Sequence, residues 1–439
     1  MNRVEQYGDF IARLFPETYL KADTNKRVLS RTLSFQVTDA CNLACSYCYQ
    51  INKGNRAMKF ETARLLIDSL LMGEKGYEDY IHPSFSPGII IDFIGGEPFL
   101  QIELIEEICD YFFKRCIELD HPWLTKHKFA ICSNGVLYFD PRVQKFLSKY
   151  KDNLALSITI DGNKELHDAC RIFPDGSPSY DIAIAAVKDW TSKGNFIGSK
   201  ITIAPENIEY VFNATKHMMD LGYTQINANC IFEEGWNYNH ASVLYNEMKK
   251  ISDYLICNNL CDTYISLFSE SFFKPMSEEN IQNWCGGTGN MLACDPDGYL
   301  YPCIRYMESS LGNSRQPMRI GDVFNGIGKT ECQQNCISCL DKITRRTQST
   351  DKCFHCPIGE GCAWCSAHNY QVFGTADKRA TFICEMHKAR SLANVYYWNK
   401  YYIKNNIPQR FKMYCPKEWA LKIISDDEYN MLSDLSTIN

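Results

Sequence analysis

The chain has 439 residues, 45% of them hydrophobic and 22% charged, with a formal net charge of -6. That balance is ordinary for a globular protein and leaves no broad basic surface for nucleic acid. No uninterrupted apolar run approaches the roughly 20 residues of a membrane span, and Met1 to Leu20, carrying Asp9, Arg13 and Glu17, has no signal-peptide core. A cytoplasmic protein is expected, and in a reducing cytosol 22 cysteines point to metal ligation rather than disulfides.

In chain order, strand-like runs at Leu33–Thr38, Ile89–Ile94, Phe129–Cys132, Leu154–Ile160, Ile197–Ile203 and Gln225–Ile231 alternate with helical patterns. The clearest helix is Ile102–Cys116, where Ile105, Ile108, Cys109, Phe112, Phe113 and Cys116 make one apolar stripe. Six strand–helix units imply a parallel sheet and fall short of the eight that close a full barrel. A helical bridge is predicted over Ala241–Asn259, and another helix after Cys384 through Ala389, Leu392, Ala393, Tyr396 and Lys400. Asp341 to Lys352 reads as an exposed loop. Cys109, Cys116, Cys132 and Cys230 read as buried small hydrophobes, and Tyr396-Tyr397-Trp398 with Tyr401-Tyr402 as core packing.

Directly after the first strand comes Cys41-Asn42-Leu43-Ala44-Cys45-Ser46-Tyr47-Cys48, a C-x3-C-x2-C run. Three cysteines leave one iron of a four-iron cluster without a protein ligand. A zinc knuckle would want a second pair nearby, and a disulfide would strand one thiol. Further motifs stand at the next strand ends. Gly95-Gly96-Glu97-Pro98 ends the second, with glycines that permit close backbone approach and a carboxylate that can accept from an ammonium group. Ser133-Asn134-Gly135 ends the third. Thr159-Ile160-Asp161-Gly162, followed by His167-Asp168 and Arg171, ends the fourth. Each also fits a plain turn or cap.

Residues 285–384 hold eleven cysteines. Cys285 and Cys303 frame a C-x12-G-x4-C spacing, and Cys353-x2-Cys356-x5-Cys362-x2-Cys365 precedes Cys384. Zinc is a fair reading of such pairs taken alone. Cys332-x3-Cys336-x2-Cys339 repeats the first spacing but lacks a strand before it, and reads as a spare ligand set or a redox-sensitive loop.

The Cys41 run resembles the signature of radical S-adenosylmethionine (SAM) enzymes, and the later cysteines resemble the seven-cysteine SPASM domain that follows their barrels. The resemblance implies an α/β fold: a partial (β/α)6 TIM-type barrel followed by a small cysteine-rich SPASM domain. Segments 1–32, 33–232, 233–284, 285–390 and 391–439 would then be an N-terminal extension, the barrel, a helical bridge, the SPASM domain, and a C-terminal helix with its tail. It implies one [4Fe-4S] cluster on Cys41, Cys45 and Cys48 whose open iron chelates SAM. Tyr47 would lie near the adenine. Gly95, Gly96 and Glu97 would hold the SAM amino group. Ser133 would also bind SAM, Thr159 would sit near its ribose or carboxylate, and Arg171 would pair with an anionic group. Asp161 would face the active-site mouth and touch substrate. Two auxiliary iron–sulfur clusters are implied, one on Cys353, Cys356, Cys362 and Cys384. The other, nearer the barrel, is on Cys285, Cys303 and Cys365, with Cys294, Cys332, Cys336, Cys339 or a substrate thiolate as its fourth ligand. One departure is that the last cysteine pair is separated by two residues rather than the usual three.

Such enzymes cleave SAM to a 5′-deoxyadenosyl radical that removes a hydrogen from an unactivated C–H bond. SPASM members mostly act on peptides. The expected function is thioether formation between a cysteine sulfur and a carbon of a ribosomally made precursor peptide. The segment Cys362-Ala363-Trp364-Cys365-Ser366-Ala367-His368 resembles the ranthipeptide type of maturase. A flavodoxin- or ferredoxin-type electron donor is implied, with neither nucleic acid nor membrane as partner. Alternatives are carbon–carbon or carbon–oxygen cross-linking, or formylglycine formation in sulfatases, whose enzymes usually carry aspartate where Ile304 stands. With about 32 residues before the first strand, too few for an independent domain, recognition of a leader sequence is expected at the bridge, Phe232 to Phe273.

Overall fold

The structure, a computed structural model, describes residues 31–281 and 285–437. The expected N-terminal extension therefore lies, up to residue 30, outside the described residues. Strands β1 (Arg31–Thr38), β2 (Ile89–Gly95), β3 (His127–Ser133) and β4 (Leu154–Ile158) pair in parallel, in that order. β5 (Ser199–Ile203) and β6 (Gln225–Cys230) pair likewise, and a parallel bridge between Ser157 and Gly198 links β4 to the chain entering β5. All six lie within two residues of their predicted positions.

Parallel neighbours need long crossovers, and helices supply them here. Phe60–Met72, Ile102–Glu118, Pro141–Tyr150, Lys164–Cys170 with Tyr180–Ser192, and Val211–Asp220 fall in successive gaps. β1 is almost wholly buried, as expected of a strand covered on both faces. Its Leu33 and Phe35 stand opposite Ile91 and Phe93 of β2. Phe93 in turn lies 6.2 Å, ring to ring, from Phe129 of β3. This apolar ladder holds every motif-bearing loop at one end of the strands.

Further along the chain, β8 (Met291–Cys294) pairs in parallel with the second edge of β1, Leu292 opposite Leu33 and Cys294 opposite Phe35. The hairpin strand β9 (Tyr299–Tyr301), then β10 (Gly321–Asp322) and β11 (Gly326–Ile327), extend the sheet outward. Strand β7 (Tyr264–Ile265) adds to β6. The bridge helix, Tyr238–Cys257, packs along the C-terminal helix Cys384–Lys404. There Tyr396 donates to Asp253 at 2.8 Å, and Tyr396, Tyr397, Trp398 and Tyr402 are buried. No described helix is long and apolar enough to cross a membrane.

Three expectations need correction. Asp341–Lys352 is not simply an exposed loop. It holds the helix Arg345–Gln348 and the start of Asp351–Phe354, and Arg345 is buried, donating to the Ser277 and Asn280 carbonyls at 2.9 and 3.0 Å. Cys132 is exposed, because β3 alternates and buries Phe129, Ile131 and Ser133 on the other face. Cys332, Cys336 and Cys339 lie on the helix Glu331–Asp341 rather than in a loop.

The turn after β2 approaches the start of the Cys41 loop closely. Gly96 N–H donates to the Thr38 carbonyl at 3.0 Å and Glu97 N–H to the Ala40 carbonyl at 2.9 Å. A Cβ on Gly96 would fall on the Ala40 carbonyl and within 2.7 Å of the Asp39 oxygen. Gly96→Ala is therefore expected to cost about 2 kcal/mol through overpacking, read as a lower urea midpoint at unchanged slope.

Candidate functional site

The Cys41–Cys48 loop leaves β1 and is held on two sides. Ala44 N–H donates to the Ile172 carbonyl at 2.8 Å and Ser46 N–H to that of Cys170 at 3.0 Å. Asp39, buried at its root, accepts from Gln36 and from Arg56 at 2.5 and 2.6 Å. All three thiols are free and partly exposed. N–H groups face two of the sulfurs: Leu43 N–H lies 3.4 Å from Cys41 Sγ, and Arg171 Nη1 lies 3.8 Å from Cys45 Sγ. Such donors suit thiolate, although burial pushes the free Cys41 and Cys45 thiols up, so metal binding there must release protons. Among the described residues no three His, Cys, Asp or Glu converge as a single ion would require. A cluster asks less, since its protein sulfurs bind one to each iron.

Glu97 ties the strand ends together. Its carboxylate is buried and accepts from Ser133 Oγ at 2.7 Å, Asn134 N–H at 2.8 Å and Phe99 N–H at 3.1 Å. Burial pushes this carboxyl up, and the three donors pull it back. Its oxygens thus bond groups of this chain, and Ser133 is held by Glu97. Asn134, which the sequence reading did not single out, donates from Nδ2 to Asn42 Oδ1 at 2.7 Å. That links β3 to the cysteine loop.

Past the end of β4, Tyr47, Asp161 and Arg171 form one unit. Tyr47 donates to Asp161 Oδ2. Arg171 pairs with the same oxygen at 2.9 Å and lies over the Tyr47 ring at 5.5 Å. A buried cation and anion are tolerated only when each is satisfied. Here Asp161 Oδ1 remains buried without a partner. His167 is held neutral by burial, at about 4, with its ring against Ser179 Oγ. Asp168 accepts from Ser179 and Tyr180 N–H at 3.0 and 2.9 Å, capping the next helix. Thr159 Oγ1 lies 3.7 Å from Cys132 Sγ. Asp92, also missed, is pushed up to about 6 by burial.

The later cysteines fall into separate groups. Cys353, Cys356, Cys362 and Cys384 influence one another and all act on the half-buried Arg379, whose guanidinium donates to the Cys362 carbonyl at 2.8 Å. That cation suits four thiolates on a cluster, and nothing in the cysteine spacing announced it. Cys285, Cys303 and Cys365 form a second group. Cys294 is buried apart and directs its thiol to the Asp295 carbonyl. Cys336 feels Cys332 and Cys339 on its own helix face.

A family model described as a 4Fe-4S single cluster domain matches residues 30–169. The chain is 30% identical over 198 residues to an uncharacterized protein of Methanocaldococcus jannaschii, covering 44% of this chain but only 60% of that relative's length. It is 24% identical to a serine-type anaerobic sulfatase-maturating enzyme of Bacteroides thetaiotaomicron, over 62% of this chain and 69% of that one. It is 20% identical to the radical SAM cyclopropyl synthase TigE of Paramaledivibacter caminithermalis, over 88% and 77%. In fold it resembles anSMEcpe, solved with AdoMet and a peptide, with a TM-score of 0.58, 17% identity, and 86% and 99% of the two chains covered. It also resembles Streptococcus suis SuiB bound to its precursor peptide SuiA, with a TM-score of 0.55, 13% identity, and 88% and 81% covered. By these relationships the chain is a homologue of the radical SAM maturases.

Proposed function

We propose that this chain is a radical SAM enzyme that joins a cysteine sulfur to a carbon of a precursor peptide. The observation that carries the reading is the Cys41–Cys45–Cys48 loop, fixed between the Gly95-Gly96 turn and residues 170–172. On this reading the six strand–helix units are the partial (β/α)6 barrel, and residues 285–390 are the SPASM domain. Cys41, Cys45 and Cys48 hold a [4Fe-4S] cluster and leave one iron for SAM. When bound, this pair supplies the 5′-deoxyadenosyl radical that removes a hydrogen atom from the peptide.

The chain's own part is positioning. Gly95 and Gly96 offer backbone at the strand end, and Glu97 fixes Ser133 and Asn134 beside it. Asp161 and Arg171 hold Tyr47 in place beside the cysteine loop. Thr159 lines the same mouth. The Arg171 guanidinium sets a cation beside Cys45, favouring the anionic form of that sulfur. Cys353, Cys356, Cys362 and Cys384, around Arg379, would hold one auxiliary cluster, and Cys285, Cys303 and Cys365 the other. Support for a peptide substrate comes from the relatives, since SuiB was solved with its precursor peptide. A flavodoxin- or ferredoxin-type donor would deliver the electron, and the bridge, Phe232 to Phe273, would receive the leader sequence.

Sulfatase maturation is the second reading, favoured by the likeness to the Bacteroides enzyme. Against it stands Ile304, directly after Cys303, where such enzymes usually carry an aspartate base.

Replacing Cys41, Cys45 and Cys48 by alanine should remove about four irons per chain and abolish 5′-deoxyadenosine release. Retained nucleoside release would refute the cluster assignment. Anaerobic co-expression with a cysteine-containing precursor peptide, followed by mass spectrometry, tests the product. Thioether formation predicts the loss of two hydrogens per cross-link, with the participating thiols closed to alkylation. The same mass loss with thiols still open would mean carbon–carbon or carbon–oxygen bonds. Aldehyde formation in a sulfatase peptide would establish the second reading.

A further inference from the structure

Tyr306 closes the short turn Ile304–Tyr306 that follows Cys303. Its side chain is fully buried, and its hydroxyl has no well-formed hydrogen bond, with only the nearby Ser366 hydroxyl to turn to. A buried O–H left unbonded costs about 1–3 kcal/mol, and native interiors leave few of them. Here the neighbours are sulfurs. The hydroxyl of Ser366 and then the sulfurs of Cys303, Cys285 and Cys365 are the groups that act on this phenol. Ser366, itself fully buried, lies 3.2 Å from Cys285 Sγ. The space they share is small. A Cβ on Gly287 would lie 3.1 Å from Ser366 Oγ, 3.2 Å from Cys303 Sγ and 3.5 Å from the Tyr306 ring.

We propose that the Tyr306 hydroxyl donates a hydrogen bond to the sulfur envelope of the group held by Cys285, Cys303 and Cys365, and so raises its reduction potential. The inference rests on the reading that these cysteines hold an iron–sulfur cluster. A donor aimed at cluster sulfur draws off negative charge, and the reduced state carries more of it. Reduction is therefore favoured. A site tuned this way suits an electron acceptor for an oxidative step better than a donor to SAM. Tyr306 is thus a positioning residue, acting through the cluster and not on substrate.

The test uses the full-length chain with Cys41, Cys45 and Cys48 replaced by alanine, reconstituted anaerobically so that only auxiliary clusters report. Tyr306→Phe keeps the ring and removes the donor. One of the two reduction midpoints is expected to move negative, with iron and sulfide content unchanged. In the Tyr306 protein, an exchangeable proton coupled to that reduced cluster should be seen by electron–nuclear double resonance after transfer to D2O, and Tyr306→Phe should lose it. Unchanged midpoints with full iron would overturn the proposal. So would loss of a cluster's iron in Tyr306→Phe, which would make Tyr306 a ligand. Absence of auxiliary iron before Tyr306 is touched would instead defeat the cluster reading on which the proposal stands.

Discussion

One buried carboxylate organises the mouth of this fold. Glu97 stands at the end of β2, and its two oxygens accept from three donors, two of them at the end of β3. Its own N–H reaches back to the Ala40 carbonyl at the start of the cysteine loop. A lone buried anion would be prohibitively costly, but one that collects several N–H and O–H groups becomes a rigid joint. Through it, three successive segments keep fixed distances. Ser133, Asn134 and the root of the cysteine loop take their positions from that joint, while residues 170–172 hold the loop's far side and Tyr47 and Arg171 complete the rim.

Much of this was legible in the sequence. The strands were, because β1 is a short, almost wholly buried run and β3 to β6 alternate buried with more exposed residues, the period-2 signal of a strand. The cysteine loop and the motifs at the next three strand ends were also legible, since they recur at the same place in each strand–helix unit. What spacing could not supply is direction. It placed Glu97 at the site but not the inward turn of its carboxylate onto Ser133. It treated Cys132 as buried because β3 is apolar, whereas alternation turns that thiol to the open face.

The cysteine-rich region was legible in its groups and opaque in its surroundings. Residues far apart in the chain decide what sits beside a thiol. Arg379 arrives among four cysteines from a loop that has no motif of its own, and Arg345 leaves its charged neighbourhood to anchor backbone carbonyls near Ser277 and Asn280. Neither contact has a local signature. Each is a polar group carried inward because specific acceptors await it.

The pairing of β1 with β8 has a consequence for how the chain is made. β1 is flanked by β2 on one side and by β8 on the other, so Thr32 waits for Met291. Such long-range pairing is slow, since the loop must close before the contact repays it. During synthesis the cysteine loop and the strand–helix units emerge first, with one edge of the central strand still open. An open apolar edge invites pairing with other chains. Completion of the sheet therefore requires the segment carrying the later cysteines, and assembly of the first site is bound to the arrival of the second.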